Sequence, residues 1–335
     1  MCPQNPGDGI RSLDPRRAGC FNAPTMPVRR SSPHSRSALF KGTESFTTLG
    51  DWLRFAVTLL NREELVFAQG TPHAGDEALA LVKWALHLDE DVQPFLGARL
   101  TSVEIADIQA LLARRVGERR PLAYLTGEAW LGGLRFAVTE QVLIPRSDFV
   151  ELLQGEPGVG AWLGSLQPRR ILELCTGSGC LAVLLARQFP TALVDATDLS
   201  PDALAVAGHN VEAHGLAGPV QLWQADVFTG LPAVRYDLIV ANPPYEPAAL
   251  CDDLPPELRH EPRLALDGGT DGMDVVRRIV REARGHLTPR GVLAIEVGGL
   301  RSTLEAEFPQ VSFAWPLLAD GSEAVCVVRA KDLPR

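Results

Sequence analysis

Residues 170–182 read Arg-Ile-Leu-Glu-Leu-Cys-Thr-Gly-Ser-Gly-Cys-Leu-Ala, and three signals meet in them. Ile171, Leu172 and Leu174 form an apolar run of strand length, too short for a helix. A glycine-bearing turn follows, where a missing Cβ lets backbone approach a ligand. From 180 to 189 the pattern is helical, and a helix start offers free N–H groups. Strand, turn and helix then recur: strands over 192–198, 220–223, 236–241, 291–297 and 324–329, with helices over 201–214, 272–287 and 300–308. This alternation predicts a parallel sheet of about seven strands with helices on both faces, a Rossmann-like α/β domain spanning 151–335.

Upstream the rhythm differs. Leu49, Trp52, Leu53, Phe55, Ala56, Leu59 and Leu60 recur at three-to-four spacing, as do Ala78, Leu81, Val82, Ala85 and Leu86, and a third such stretch covers 102–116. A small helical domain over 45–125 is expected. Residues 126–150 are aromatic and β-branched around Gly132-Gly133, which predicts a β-hairpin linker. Residues 1–44, rich in Pro, Ser and Arg without periodicity, read as a disordered extension. A targeting segment and an upstream start, with Met26 as a second candidate, are the alternatives for it. Arg29-Arg30 lacks the apolar stretch that an export signal needs.

Composition narrows the class. The chain has 335 residues, 46% of them hydrophobic, which suits two soluble domains. No apolar run approaches the ~20 residues of a membrane helix. Six cysteines scattered from Cys2 to Cys326 make no disulfide framework and point to a reducing compartment, the cytoplasm. A net charge of −9 argues against a broad footprint on duplex DNA. Cys175 and Cys180 have no paired His or second Cys pair nearby, so no metal is expected. The arginines at 114–115 and 119–120 read as a solvated helix face, with docking of a substrate as the functional alternative; Asp89-Glu90-Asp91 could receive a basic protein.

Ligands of open α/β sheets bind at the carboxyl ends of the strands. The glycine turn there satisfies G-x-G-x-x-A, and Asp198 follows at the spacing of a ribose-binding acid, so an NAD(P) oxidoreductase stays open. A carboxylate accepting both ribose hydroxyls suits NAD or S-adenosylmethionine equally. Asp226, closing the third strand, could accept from an adenine amine, or both acids could cap turns. The stretch Ala-Asn-Pro-Pro-Tyr at 241–245 separates the cofactors. Proline ends the ladder, so Asn242 is delivered to the rim. Its side-chain carbonyl and the Pro243 carbonyl could accept both hydrogens of a planar amino group, with Tyr245 against its flat face. Such a grip aims a nitrogen at a methyl carbon and gives an oxidoreductase no use for the motif.

With these pieces in order, the sequence resembles the glutamine N5-methyltransferases of the HemK/PrmC/PrmB group, class I S-adenosylmethionine-dependent enzymes. The matching residues are Ile144-Pro145-Arg146-Ser147, 173–179, Asp198 to Leu204, Asn242-Pro243-Pro244-Tyr245, His260-Glu261-Pro262 and 265–272. Within the group it looks like the branch acting on the third large-subunit ribosomal protein, through Gly70-Thr71-Pro72, Asp76-Glu77-Ala78, 84–88 and Leu254-Pro255-Pro256-Glu257. The resemblance implies that Asn242, Pro243, Pro244, Tyr245 and Arg146 hold a glutamine. It implies that Glu173, Thr176, Gly177, Gly179, Asp198, Asp226, Val227 and Asn242 hold S-adenosylmethionine, with no metal. Cys175 stands where relatives commonly have Gly, which would crowd the methionine end of the ligand without forbidding binding. His260-Glu261 is read as ordering its loop. Release factors as substrate, amino-group methylation of nucleic acid, and a ribosome-assembly binder without turnover remain as alternatives.

Overall fold

The structure, a computed structural model, describes residues 36–88, 91–155 and 158–335. Most of the expected extension, and Asp89-Glu90, lie outside the described residues. Residues 36–44 do not behave as an extension. A turn of helix spans Arg36–Leu39, Leu39 is buried, and the Phe40 ring lies 6.2 Å from Trp52 and 6.1 Å from Phe55. The apolar packing thus reaches upstream of residue 45, because Leu39 and Phe40 have a hydrophobic surface to cover.

Helices Leu49–Arg62, Ala74–Ala85 and Ser102–Glu118 pack around a core of Trp52, Leu59, Leu81 and Leu112. Two of them begin at capping boxes, Thr48 with Asp51 and Thr101 with Glu104, each satisfying orphan N–H groups at the helix start. The reading of the arginines as a solvated face holds only for Arg114. Arg115 is 1% exposed and pairs with Glu77 at 2.6 Å. Arg119 reaches Glu257 at 2.8 Å and Arg120 reaches Glu140 at 2.7 Å. These side chains fasten the helices to the rest of the chain.

The hairpin pairs β1 (Glu128–Leu131) with β2 (Leu134–Ala137) through Gly132-Gly133, both at positive φ, which a two-residue loop with right-handed twist requires. Behind it lies a six-stranded sheet: β3 (Arg170–Leu174), β4 (Leu193–Asp198), β5 (Val220–Gln224), β6 (Tyr236–Ala241), β7 (Leu287–Glu296) and β8 (Val325–Arg329), in the order β5-β4-β3-β6-β7-β8. Helices Cys180–Gln188 and Pro201–Ala213 cover one face with Val194, Val240 and Ala294. Helix Asp274–His286 covers the other with Leu172, Ile239 and Leu293.

Two expectations about the sheet are corrected. β8 runs antiparallel to β7, so the sheet is mixed. The sheet has six strands and not about seven; beyond them Ala314 and Val327 form an isolated bridge, exchanging two hydrogen bonds of 2.8 Å. Pro316 occupies the next hydrogen-bonding position and cannot donate to a ladder, so the pairing does not extend past it. No described helix is long and apolar enough to cross a membrane.

Candidate active site

β3 lies at the switch point, with β4 on one side and β6 on the other, so the loops leaving these strands diverge and open a crevice. The glycine loop after β3 is braced from below. Glu173 is 1% exposed and accepts a 2.5 Å hydrogen bond from the Thr176 hydroxyl. Burial pushes its carboxyl up to about 8, against the pull of Thr176 and the Ala182 N–H. Glu173 therefore braces the loop from within.

The two glycines do different work. Gly177, at φ +56°, has open space where a Cβ would stand, so the crevice side of the loop is clear. Gly179, at φ +77°, would bring a Cβ within 3.0 Å of Ala207 Cβ, so its absence lets helix Pro201–Ala213 approach. Asp198 Oδ2 accepts from Gly177 N–H and Oδ1 from Ser200 N–H, both at 2.9 Å, leaving each oxygen a further lone pair for a hydroxyl. This donor and acceptor set, with the empty space over Gly177, fits an adenosine-type ligand.

Asp226 and Val227 follow β5, Val227 at φ +53°. The Asp226 carboxylate is half exposed and paired with Arg278 at 2.8 Å, a partner that an adenine amine would have to share. Cys175, at φ +59°, packs against the core on the Leu172 and Ile239 face of the sheet. Its thiol is held far above the usual range, first by burial and then by Asp198, Glu173 and Asp226.

Asn242 leaves β6 one strand away from the glycine loop. Its Nδ2 donates a long 3.5 Å bond to the Arg146 carbonyl, which leaves Oδ1 for an incoming N–H. The segment after it is clamped: Glu246 N–H donates to Leu266 O at 2.9 Å, and Gly268 N–H to Glu246 O at 2.8 Å. A Cβ on Gly272 would lie 2.4 Å from the Tyr245 carbonyl oxygen, and one on Gly298 would lie 2.9 Å from the Tyr245 ring. Both glycines are needed for the tyrosine to sit where it does. A cavity of about 250 Å³ results, lined among others by Arg146, Ser147, Asn242, Pro243, Tyr245 and Glu296. Pro244 shapes the turn without lining it.

Arg146, on the cavity wall, is anchored by an acid. Its guanidinium makes a two-pronged pair with Glu261 at 2.6 and 2.8 Å, and Glu261 also accepts from Ile144 N–H at 3.0 Å. The linker is thereby tied to the 246–270 loop, the ordering role read for His260-Glu261. His260 itself bridges Glu140 and the Glu118 carbonyl.

One residue of this cavity escaped the sequence reading. Glu296, 4% exposed, ends β7 and accepts from the Ser147 hydroxyl at 2.5 Å and the Asp148 N–H at 3.1 Å, both on Oε2. Among the described residues its Oε1 has only the Tyr245 hydroxyl, at 3.4 Å. Burial pushes the carboxyl up to about 7, against the pull of the Ser147 hydrogen bond. The rule that singled out Asp198 and Asp226, an acid closing a buried strand, applies to it equally.

Known proteins similar to this chain point to one family. Residues 160–253 match the family model described as the methyltransferase small domain. A ribosomal protein uL3 glutamine methyltransferase of Bordetella pertussis is 47% identical over 292 residues, 87% of this chain and 97% of that protein. One from Burkholderia pseudomallei is 46% identical, covering 86% of this chain and 96% of that protein, and one from Neisseria gonorrhoeae is 43% identical, covering 88% and 98%.

Proposed function

The chain belongs to the family of the ribosomal protein uL3 glutamine methyltransferases, and on that premise we propose that it transfers a methyl group from S-adenosylmethionine to the side-chain amide of a glutamine in uL3. The observation that carries the reading is the 250 Å³ cavity, in which Asn242 and Pro243 sit one strand from the loop that leaves room for the cofactor. S-adenosylmethionine supplies an electrophilic methyl carbon on a sulfonium.

An amide nitrogen is a poor nucleophile because its lone pair is delocalised into the carbonyl. Asn242 Oδ1 and the Pro243 carbonyl oxygen accept the two amide hydrogens, so they favour the arrangement in which positive charge grows on nitrogen. The same two acceptors fix the direction of the lone pair, and positioning supplies much of the rate. Tyr245 packs against the amide plane. Asp198 receives the ribose hydroxyls, Thr176 and Gly177 line the approach, and Asp226 and Val227 bound the base. The helices over 45–125 present the protein substrate, whose class places the reaction in the cytoplasm.

The test is methyl transfer from labelled cofactor to purified uL3 and, separately, to a release factor, with the modified residue located by mass spectrometry. Label on a uL3 glutamine is expected. Label on the release factor alone would overturn the substrate and keep the chemistry.

A further inference from the structure

We propose that Glu296 takes the proton that the target amide releases as it is methylated, an inference that rests on the methyl-transfer reading above. The juxtaposition comes from the sheet. β6 and β7 are parallel with Ala241 opposite Ile295, so Asn242 and Glu296 occupy the next register position on adjacent strands. In parallel strands, residues at one register position point to the same face. Both accordingly line the same cavity.

The carboxylate is oriented for this task. Ser147 and Asp148 hold Oε2 at 2.5 and 3.1 Å, which fixes the group's plane. Oε1 keeps an available lone pair beside its long contact with Tyr245. The charged and titratable groups facing Glu296 are Arg146 and Asp148 from the linker and Tyr245 and Glu246 from the segment after β6. Arg146 is already paired with Glu261, and among the described residues no cation pairs with Glu296. Burial then brings its carboxyl up to about 7, where a base is effective near neutral pH.

The step balances. The nitrogen lone pair forms the bond to the methyl carbon, and the carbon–sulfur pair stays with sulfur, which ends as a neutral thioether. The nitrogen would then carry the positive charge. Bond formation makes the nitrogen tetrahedral, one of its two N–H protons leaves its carbonyl acceptor and passes to Glu296 Oε1, its bonding pair remains on nitrogen, and the product is a neutral N-methyl amide. Solvent collects the proton before the next turnover.

The experiment is single-turnover methylation of uL3 by the full chain between pH 5.5 and 8.5, with the wild type, Glu296→Gln and Ser147→Ala, alongside cofactor affinity by calorimetry. The wild-type rate should fall about tenfold per pH unit below about 7. Glu296→Gln should bind cofactor within about twofold of wild type, lose about 10²-fold or more of the rate at pH 8, and lose the acidic limb. Ser147→Ala removes a hydrogen bond that favours the ionised form, so the limb should move to higher pH. A Glu296→Gln rate and limb like wild type overturn the proposal, as does a limb that stays in place in Ser147→Ala. A wild-type protein that puts no methyl on any uL3 glutamine overturns the reading beneath it, which separates the two failures.

Discussion

Glu257→Gln probes the joint between the helices and the catalytic loop. Glu257 is completely buried, and its Oε1 accepts from Val66 N–H at 3.2 Å and Arg119 Nη2 at 2.8 Å, with Arg115 Nη1 at 3.9 Å. Glu77 holds Arg115 at 2.6 Å, so the cluster contains two carboxylates and two guanidiniums and is neutral. Glutamine preserves the shape and one acceptor oxygen while leaving the cluster with a net positive charge. Breaking a buried pair from one side costs about 3–5 kcal/mol. Two features reduce that figure here: Arg115 keeps Glu77, and the Arg119 side chain is 21% exposed, so water recovers part of its solvation. A loss of about 2–3 kcal/mol is expected. Domains of 150–250 residues lose about 2–4 °C per kcal/mol, so calorimetry should show a fall of about 4–12 °C. Because Glu257 belongs to the same 246–270 loop as Leu266, amide exchange should speed up around Glu246 and Gly268, and KM for the protein substrate should rise while cofactor affinity holds. A melting point within about 1 °C of wild type, with exchange unchanged, would refute the account of the joint.

Three further outcomes follow from the site. Asn242→Ala should leave cofactor affinity nearly unchanged and lower methyl transfer by about 10²–10³-fold, the scale of one lost transition-state partner; equal loss of both would remove the role given to Asn242. Asp198→Ala should weaken cofactor binding first, by about tenfold or more, because a charge-assisted hydrogen bond is worth roughly 1.5–3 kcal/mol; a normal dissociation constant in calorimetry would take Asp198 off the ribose. Glu173 is protonated in the folded protein up to about pH 8 and ionised in the unfolded chain above its ordinary value of 4.5, so it contributes stability at acid pH that is lost as pH rises through that window. Glu173→Gln should therefore gain on wild type in melting temperature between pH 5 and 8, and a constant difference between the two proteins would contradict the buried protonation.

What the sequence shows of this fold depends on how local each cause is. The Gly132-Gly133 hairpin and the exit of Asn242 from its strand are legible because positive φ and the missing proline N–H act within two or three residues. The antiparallel edge strand is not, since nothing inside 324–329 states which way its neighbour runs. Arg115 is a mixed case. It continues the buried stripe of Ile108, Leu111 and Leu112, so its burial could be read from spacing, but its partners Glu77 and Glu257 are remote in sequence and only the packed chain brings them to it.

The hardest feature to foresee is the placing of Glu296 beside Asn242. Both lie at strand ends, and that much is local. That they share one cavity is fixed by the register of two strands separated by the 246–270 loop and helix Asp274–His286, with Ile239 set against Leu293 and Ala241 against Ile295 in the core. A shift of one residue in that register would turn Glu296 to the opposite face from Asn242, because side chains alternate along a strand. The core pairs therefore do more than stabilise the sheet: by forbidding that slip, they hold the amide grip and the carboxylate in one pocket.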